Sequence, residues 1–173
     1  MVGLRKGHCY TYMKRAYTRR SRRSKKNYIK TIPPLKLTKY DMGDLKKKFE
    51  FNVSLVVNKD IQIRQNSIES ARQVVNRRIA DAASNNYFMK VKAYPHHVLR
   101  ENRMLGGAHA DRLQTGMAHA FGMTINLAAQ VKKGKPVFTI SVNKEHVEAA
   151  KTSLKFATPR LPGHFSVKVE KAW

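Results

Sequence analysis

Two hydrophobic periods alternate within residues 51–94, which read FNVSLVVNKDIQIRQNSIESARQVVNRRIADAASNNYFMKVKAY. The β-branched run 51–57 is followed by Asn58-Lys59, which predicts a strand. Apolar residues then recur at helical spacing and predict a helix with one buried face, formed by Ile68, Ala71, Val75, Ile79 and Ala82. Residues 87–94 return to a strand-like composition before Pro95. The segment therefore predicts a strand, a helix and a second strand.

Polar residues mark the ends and the outer face of this helix. Asn66, with Glu69 three residues later, is typical of an N-terminal cap pair. Asn85-Asn86 predicts the C-terminal end. Three polar residues are assigned to positions away from the apolar stripe, namely Arg72, Asn76 and Arg77.

Two further strands are predicted near residues 124–131 and 136–142. The four residues between them, Lys132-Lys133-Gly134-Lys135, are basic and contain a glycine, which is typical of a hairpin tip. We therefore expect these two strands to pair with each other.

The C-terminal segment completes the pattern. Asn143 is placed to cap a second helix, which Pro159 ends. The inward positions of that helix are Val147, Ala150, Leu154 and Ala157. Residues 165–169 alternate and predict a last strand. This order favours an α+β fold, a two-layer α/β sandwich in which two helices cover one face of a mixed or mostly antiparallel sheet.

Positive charge is concentrated in the first 48 residues. The chain has 35 Lys and Arg against 11 Asp and Glu, and residues 1–48 hold sixteen of these cations but only two acids. Such a block repels itself until a polyanion neutralises it, and Ile32-Pro33-Pro34-Leu35 excludes helix there. We therefore divide the chain into an extended basic arm with little core of its own, residues 1–48, and a sandwich domain, residues 49–173.

The net charge of +24 indicates a polyanionic partner, which is either nucleic acid or an anionic membrane surface. No apolar run approaches the roughly 20 residues that span a bilayer, and no signal peptide is recognisable. Four tyrosines interleave with the basic residues of the arm and suit stacking on bases, Tyr10, Tyr12, Tyr17 and Tyr28. We therefore expect nucleic acid and no membrane. The single cysteine, Cys9, can close neither a disulfide nor a cysteine-based zinc site and fits the cytoplasm.

Residues 95–122 have no regular period and contain Gly106-Gly107. A loop of this length inside a domain is usually functional or disordered. Cationic or hydrogen-bonding residues surround the glycines, namely Arg100, Arg103, His109 and Arg112. The residues alone leave two interpretations open, a probe that enters an RNA pocket or a disordered surface loop.

Signals for catalysis and for metal binding are weak. His96 and His97 point in opposite directions on an extended chain, and no cysteine or carboxylate cluster stands at ligand spacing beside them. Glu101 and Asp111 resemble an acid–base pair, but the neighbouring arginines favour ion pairing. We therefore predict no catalytic residues, no metal and no cofactor.

Longer motifs carry a family resemblance. They include Cys9-Tyr10, Gln62-Ile63-Arg64, and Glu69-Ser70-Ala71-Arg72 with Asn76-Arg77. The most specific run is Tyr94-Pro95-His96-His97-Val98-Leu99-Arg100-Glu101-Asn102, continued by Ala110-Asp111-Arg112, Gly116-Met117 and Ala120-Phe121-Gly122. Nearly end to end, the chain resembles the universal large-subunit ribosomal protein sixteen family in its archaeal and eukaryotic form, called ten-e. The short C-terminus at Trp173 is similar to the archaeal branch.

The resemblance implies a non-catalytic constituent of the large ribosomal subunit, present in one copy per ribosome. It implies binding to large-subunit rRNA near the peptidyl-transferase centre and help in positioning tRNA, with 5S rRNA and neighbouring ribosomal proteins as further contacts. From their charge we assign phosphate contacts to Arg5, Lys6, Lys14, Arg15, Arg19, Arg20, Arg22, Arg23, Lys25 and Lys26. The resemblance adds Arg64, Arg72 and Arg77. It also implies a tRNA-facing loop at about residues 100–116, with Arg100, Asn102, Arg103, Gly106, Gly107, Ala108, His109 and Arg112.

Two rival interpretations stay open. A basic chromosomal DNA-binding protein would share the charge, although no helix-turn-helix or zinc-finger pattern is present, and a DNA competition assay separates it. An RNA-processing enzyme would use Glu101, Asp111 or a histidine, and loss of turnover on a defined RNA after their substitution would support it.

The positive charge of the arm determines how strongly RNA binding depends on salt. Binding of the full chain to an rRNA fragment should weaken steeply with salt, because each neutralised phosphate releases counterions. The log–log slope of affinity against salt should be roughly −0.7 to −0.9 per contact. Titrations at several salt concentrations measure it, and a nearly flat dependence would contradict an electrostatic arm.

Overall fold

The computed structural model of the chain describes residues 6–13, 23–27, 29, 31–101 and 122–172. Its strands are β1 (Asp41–Gly43), β2 (Phe51–Val57), β3 (Ile61–Arg64), β4 (Tyr87–Val91), β5 (His97–Glu101), β6 (Met123–Val131), β7 (Pro136–Val142) and β8 (Phe165–Lys171). The α-helices in these residues are α1 (Gln65–Ala83) and α2 (Val147–Lys155). Within the same ranges, no helix is long and apolar enough to cross a membrane.

The eight strands form two antiparallel sheets. The larger has the order β1-β4-β7-β2-β8, and the smaller has the order β3-β6-β5. Both helices contribute to the apolar core on one face of the larger sheet and contact each other, and α1 also contacts β3 and β6 of the smaller sheet. The predicted α+β fold with two helices on one face is confirmed, although two sheets stand where the sequence predicted one.

Alternation along the strands gives the five-stranded sheet two different faces. On the inner face, Leu55 of β2 lies opposite Phe138 of β7, and both side chains are fully buried. On the outer face, Ser54 lies opposite Thr139, and their hydroxyl oxygens are 3.2 Å apart. The period of two therefore places the helices on one side and leaves polar groups on the other.

Helix α1 buries one stripe along its length, as the sequence predicted. Ile68, Val75 and Ile79 have no exposed surface. Ala83 completes the stripe, because it lies four residues, about one helical turn, after Ile79. Ala82, which the sequence predicted to be buried, is exposed. The predicted inward residues of α2 are buried or pack on the core, namely Val147, Ala150, Leu154 and Ala157.

The predicted side-chain caps are wrong. Helix α1 begins at Gln65, directly after β3, and no side chain caps it. Its first residue is held by tertiary contact instead, because Gln65 Nε2 donates to Asn126 Oδ1 at 2.6 Å. The side chains of Asn66 and Asn143 therefore make no cap hydrogen bond, and Asn143 stands before a short 3-10 turn that leads into α2.

The predicted hairpin between β6 and β7 is also wrong. These strands belong to different sheets, so residues 132–135 connect the two sheets. The connection is held by Gly134, whose N–H donates to Val57 O at 2.9 Å, and by Lys133, whose N–H donates to Asp60 Oδ1 at 2.7 Å. The basic turn therefore packs beside the connection from β2 to β3, which crosses between the same two sheets.

Strands β1, β3 and β5 were not predicted from the sequence. Each is short, and β1 lies within the segment assigned to the arm. Met42 of β1 and Leu37 before it are both buried in the main core, at 8% and 3% exposed. The C-terminal part of the arm therefore packs into the sandwich, contrary to the expectation that it has little core.

Gly43 provides a test of this packing. It has a φ of +88°, and a Cβ added there would lie 2.2 Å from Tyr87 O. Gly43→Ala should therefore lower the free energy of unfolding by about 2–4 kcal/mol, from left-handed strain plus the clash. Urea denaturation measures the change.

Gly134→Ala is the matched control. Gly134 has a similar φ of +81°, but an added Cβ would meet nothing within 4 Å. This variant should lose only the strain, about 1–2 kcal/mol. Equal losses in the two variants would show that the packing against β4 contributes nothing.

Candidate nucleic-acid interface

The arm is anchored to the small sheet through Tyr10. A short 3-10 turn, Gly7–Tyr10, leaves this ring only 8% exposed. Gln62 of β3 holds the backbone, because its Nε2 donates to Tyr10 O at 2.8 Å and its N–H donates to Thr11 O at 2.9 Å. The Tyr10 hydroxyl donates to Glu101 Oε2 at 3.3 Å. The arm is thus fixed at residues 7–11 by strands far away in the sequence.

A second anchor contacts the opposite face of the same sheet. Tyr10 packs with Leu99 and Ala128, whereas Ile29 packs with Val98 and Leu127. Consecutive residues of a strand point to opposite faces, so the two anchors lie on different sides of β5 and β6. The described parts of the arm therefore contact both faces of the three-stranded sheet.

Two arginines line a groove where the arm meets the start of α1. The guanidinium of Arg64 lies 5.0 Å from the centre of the Tyr10 ring. Arg160 Nη1 donates to Ser70 Oγ at 2.7 Å. The groove has a volume of about 230 Å³ and includes Ser67 in the first turn of α1. Guanidinium groups and helix N-terminal N–H groups both favour phosphate, so this groove suits an RNA backbone.

Arg72 does not lie where the sequence analysis placed it. Its side chain is 9% exposed, and Nη2 donates to Glu69 Oε1 at 2.6 Å. The Arg72 hydrogen bond holds the pKa of Glu69 below its ordinary value, and a hydrogen bond from Gln73 adds to the effect. The assignment of Arg72 to a position away from the apolar stripe is therefore wrong, because Arg72 follows Ile68 by four residues and precedes Val75 by three, which places it on the buried side of α1. Arg77 is exposed as expected.

The other predicted phosphate contacts divide into two groups. The described ones are all exposed: Lys6, Arg23, Lys25 and Lys26. The others lie outside the described residues: Arg5, Lys14, Arg15, Arg19, Arg20 and Arg22. Most of the predicted tRNA-facing residues lie outside them as well: Asn102, Arg103, Gly106, Gly107, Ala108, His109 and Arg112.

Strands β5 and β6 pair with each other at the residues that flank segment 102–121. Arg100 is in β5 opposite Thr124, and Glu101 is opposite Met123, so residues 102–121 connect two neighbouring antiparallel strands. Arg100 therefore belongs to a strand, at a register shift that follows Leu99. Since Glu101 also accepts the Tyr10 hydrogen bond, the arm anchor and the start of the loop are joined.

The adjacent histidines have different environments. His96 is exposed, whereas burial and then the charge of Arg100 lower the pKa of His97 and so favour its neutral form. Among the described residues, no group of three His, Cys, Asp or Glu side chains could hold a metal ion.

Sequence reasoning missed a stack of aromatic rings. Tyr40 and Tyr94 stack with centroids 5.4 Å apart, and His96 lies 4.3 Å from Tyr94. Tyr94 remains 46% exposed, and burial raises the pKa of Tyr40 to about 12. Exposed stacked rings suit contact with unpaired bases. Tyr94 was assigned only to the end of a strand, and nothing local in the sequence indicates its pairing with Tyr40.

The fold and surface define a strongly basic α+β protein built on two antiparallel sheets. A family model described as ribosomal protein L16p/L10e matches residues 13–168. The chain therefore belongs to the ribosomal protein L16p/L10e family.

Individual relatives agree with this assignment. The chain is 43% identical over 161 residues to the large ribosomal subunit protein uL16 of Staphylothermus marinus, covering 92% of this chain and 89% of the relative. It is 43% identical to the protein of the same name from Methanocella arvoryzae, over 90% of this chain and 88% of the relative. It is 39% identical to the large ribosomal subunit protein uL16 of Methanococcus maripaludis strain S2, over 98% of this chain and 96% of the relative.

Arg72 and Arg77 make a matched pair on α1. Arg72→Ala should lower the free energy of unfolding by about 3 kcal/mol, because it leaves the poorly exposed Glu69 without its partner. Arg77→Ala should change it by less than about 0.5 kcal/mol and instead weaken RNA binding. Urea denaturation and RNA titration of both variants distinguish the two roles.

The Arg72–Glu69 pair also predicts a pH dependence. Because the pKa of Glu69 is lowered in the folded chain, its stabilisation is complete above the ordinary value of 4.5 and is lost as the pH falls through the lower folded value. Arg72→Ala should remove that component. An unchanged pH profile of stability between pH 3 and 5 would show that the pair is not responsible.

Proposed function

We propose that the protein is a non-catalytic structural constituent of the large ribosomal subunit, where it binds rRNA. The observation that carries this proposal is the family match over residues 13–168. Relatives at about 40% identity over nine-tenths of the chain are named as large ribosomal subunit proteins. The net charge of +24 supplies a physical reason, since rRNA provides the polyanion that such a chain needs.

The rRNA contacts are proposed to begin at the arm and its anchor. The arm supplies cations for phosphates, and the Tyr10 anchor fixes their starting point on β3 and β5. Arg64 and Arg160 border the adjoining groove, so phosphates beside the arm would meet two guanidinium groups. Neighbouring ribosomal proteins are the second class of partner that membership of the subunit implies.

A finer role is proposed for the loop at about residues 100–116. It would face tRNA near the peptidyl-transferase centre, and 5S rRNA would be a further neighbour. The family resemblance of the Tyr94–Asn102 motif supports this role, as does the position of Arg100 and Glu101 on a strand fixed by β6 and the arm. The rigid base would hold the loop at a set distance from rRNA while RNA performs the chemistry.

The two rival interpretations gain no support from the comparisons. The relatives reported above are named as large ribosomal subunit proteins. Of the two carboxylates proposed for the rival enzyme, Glu101 lies in the described part of the chain and accepts a hydrogen bond from Tyr10, which gives it a structural use. A DNA-binding or RNA-processing role would therefore be an addition to the ribosomal one.

Subunit association and RNA crosslinking test the proposal together. The tagged chain should sediment with purified large subunits, and ultraviolet crosslinks in intact cells should attach the arm to large-subunit rRNA and the loop to tRNA. Crosslinks dominated by DNA or messenger RNA would overturn the ribosomal role. Arm crosslinks to rRNA without loop crosslinks to tRNA would overturn only the finer role.

Paired lysine variants provide the control for nonspecific charge. Lys25→Gln with Lys26→Gln removes two exposed cations from the arm, and Lys144→Gln with Lys155→Gln removes two exposed cations around α2. Only the arm pair should weaken incorporation into subunits, with a salt slope shallower by about 1.4–1.8. Equal effects would show that total charge, not the arm, determines binding.

A further inference from the structure

One aromatic ring interrupts the polar outer face of the five-stranded sheet. Phe88 of β4 lies opposite Ser141 of β7, which lies opposite Asn52 of β2, so these side chains form one row across the sheet. The ring of Phe88 is half-buried, and the helices lie on the other face. Something other than the main core therefore has to account for an aromatic residue at this position.

A groove of about 390 Å³ lies over this row. The sides are completed by Lys47, Lys48 and Phe49 from the segment that connects β1 to β2. Phe49 is only 6% exposed, yet it belongs to none of the apolar clusters of the described residues. The volume falls within the range of roughly 300–1,000 Å³ that is usual for small-ligand sites.

The polar groups of the groove are held in place and leave a donor available. Ser141 Oγ donates to Asn52 Oδ1 at 2.6 Å, which orients the Asn52 amide. In the described part of the chain, the Nδ2 group of that amide has no hydrogen-bond partner. At the rim, Lys47 Nζ donates to Asn86 Oδ1 at 2.9 Å, whereas Lys48 is exposed and makes no ion pair with a described residue.

We infer that this groove binds one unpaired nucleotide of RNA. The base stacks against Phe88, and Asn52 Nδ2 donates a hydrogen bond to an acceptor on the base edge. The phosphate forms an ion pair with Lys48. An aromatic face, an amide donor and a cation are the three groups by which proteins hold unpaired nucleotides. The inference rests on the proposed function, which brings rRNA to the chain, and adds a site remote from the arm anchor.

The surrounding charges favour one orientation of the nucleotide. Asp44 lies 4.0 Å from Lys47 and accepts a hydrogen bond from the Lys46 backbone, so part of the positive charge at that side is already compensated. Glu170 of β8 lies opposite Asn52 at the far side. A phosphate is therefore favoured beside Lys48, and the base beside Phe88 and Asn52.

Site-specific photocrosslinking in assembled large subunits tests the inference. Benzoylphenylalanine is placed at Phe88, at Tyr12 in the arm, or at Phe156, an aromatic control that is 42% exposed at the end of α2. An rRNA adduct from position 88 at a single nucleotide supports the site. An adduct to protein, or none, while Tyr12 does crosslink to rRNA, overturns the site and leaves the ribosomal role standing. Absence of rRNA adducts at both position 88 and position 12 overturns the site and also the proposed contact of the arm with rRNA.

Conservative variants decide the case if the bulky probe at position 88 prevents assembly. Phe88→Leu keeps an apolar side chain and removes the stacking face, and Phe156→Leu is its control. Only Phe88→Leu should increase the reactivity of one rRNA base towards dimethyl sulfate, for adenine or cytosine, or towards a carbodiimide, for uracil or guanine, with occupancy falling roughly five- to a hundredfold. Unchanged reactivity throughout the rRNA would overturn the inference.

The cation is tested in the same way. Lys48→Gln should expose the same nucleotide, whereas Lys168→Gln, which removes an exposed lysine on the next row of the same face, should not. Equal exposure by both variants would show that the groove contributes only general charge, which would overturn the site.

Discussion

The burial of one face of α1 between the two sheets is the contact on which the other parts depend. Its apolar stripe packs in the main core with β4 of the larger sheet and contacts β3 and β6 of the smaller one. A chain of net charge +24 can support this core because the cations in the described part of the chain lie almost entirely outside it. The buried exception among the described residues is Arg72, which has Glu69 as its partner. The apolar core therefore holds the helices and sheets in place, whereas the positive charge lies outside that core.

Periodicity predicted the parts of the fold that are long enough to show a period. Strands β2 and β7 and both helices agree with the sequence prediction within a few residues. Pairing was not predictable, because a strand's partner is chosen by distant residues. The β6–β7 turn therefore looked like a hairpin although its strands enter different sheets. The three-residue β1 was missed, since Met42 alone carries no pattern.

The candidate site was predictable where it depends on composition and hidden where it depends on register. Charge alone predicts the basic arm, and the lack of a period in residues 95–122 predicts the long loop. Its anchor required knowing that Tyr10 meets both Gln62 and Glu101, which are 52 and 91 residues away. The row Phe88, Ser141 and Asn52 likewise exists only once β4, β7 and β2 are paired. Arg72 was misplaced for a different reason, since its spacing of four residues from Ile68 and three from Val75 already puts it on the buried side of α1.

The Tyr10 anchor can form only after the strands that hold it have been synthesised. Synthesis releases the N-terminus first, but its docking partners on β3 and β5 follow later, and β5 also requires β6 as its neighbour. At about 5–20 residues per second, the interval before those strands are complete lasts several seconds. During translation, the most cationic segment of the nascent chain is therefore made first and docked late. Until β3, β5 and β6 have formed, this cationic segment is undocked and open to binding by other polyanions.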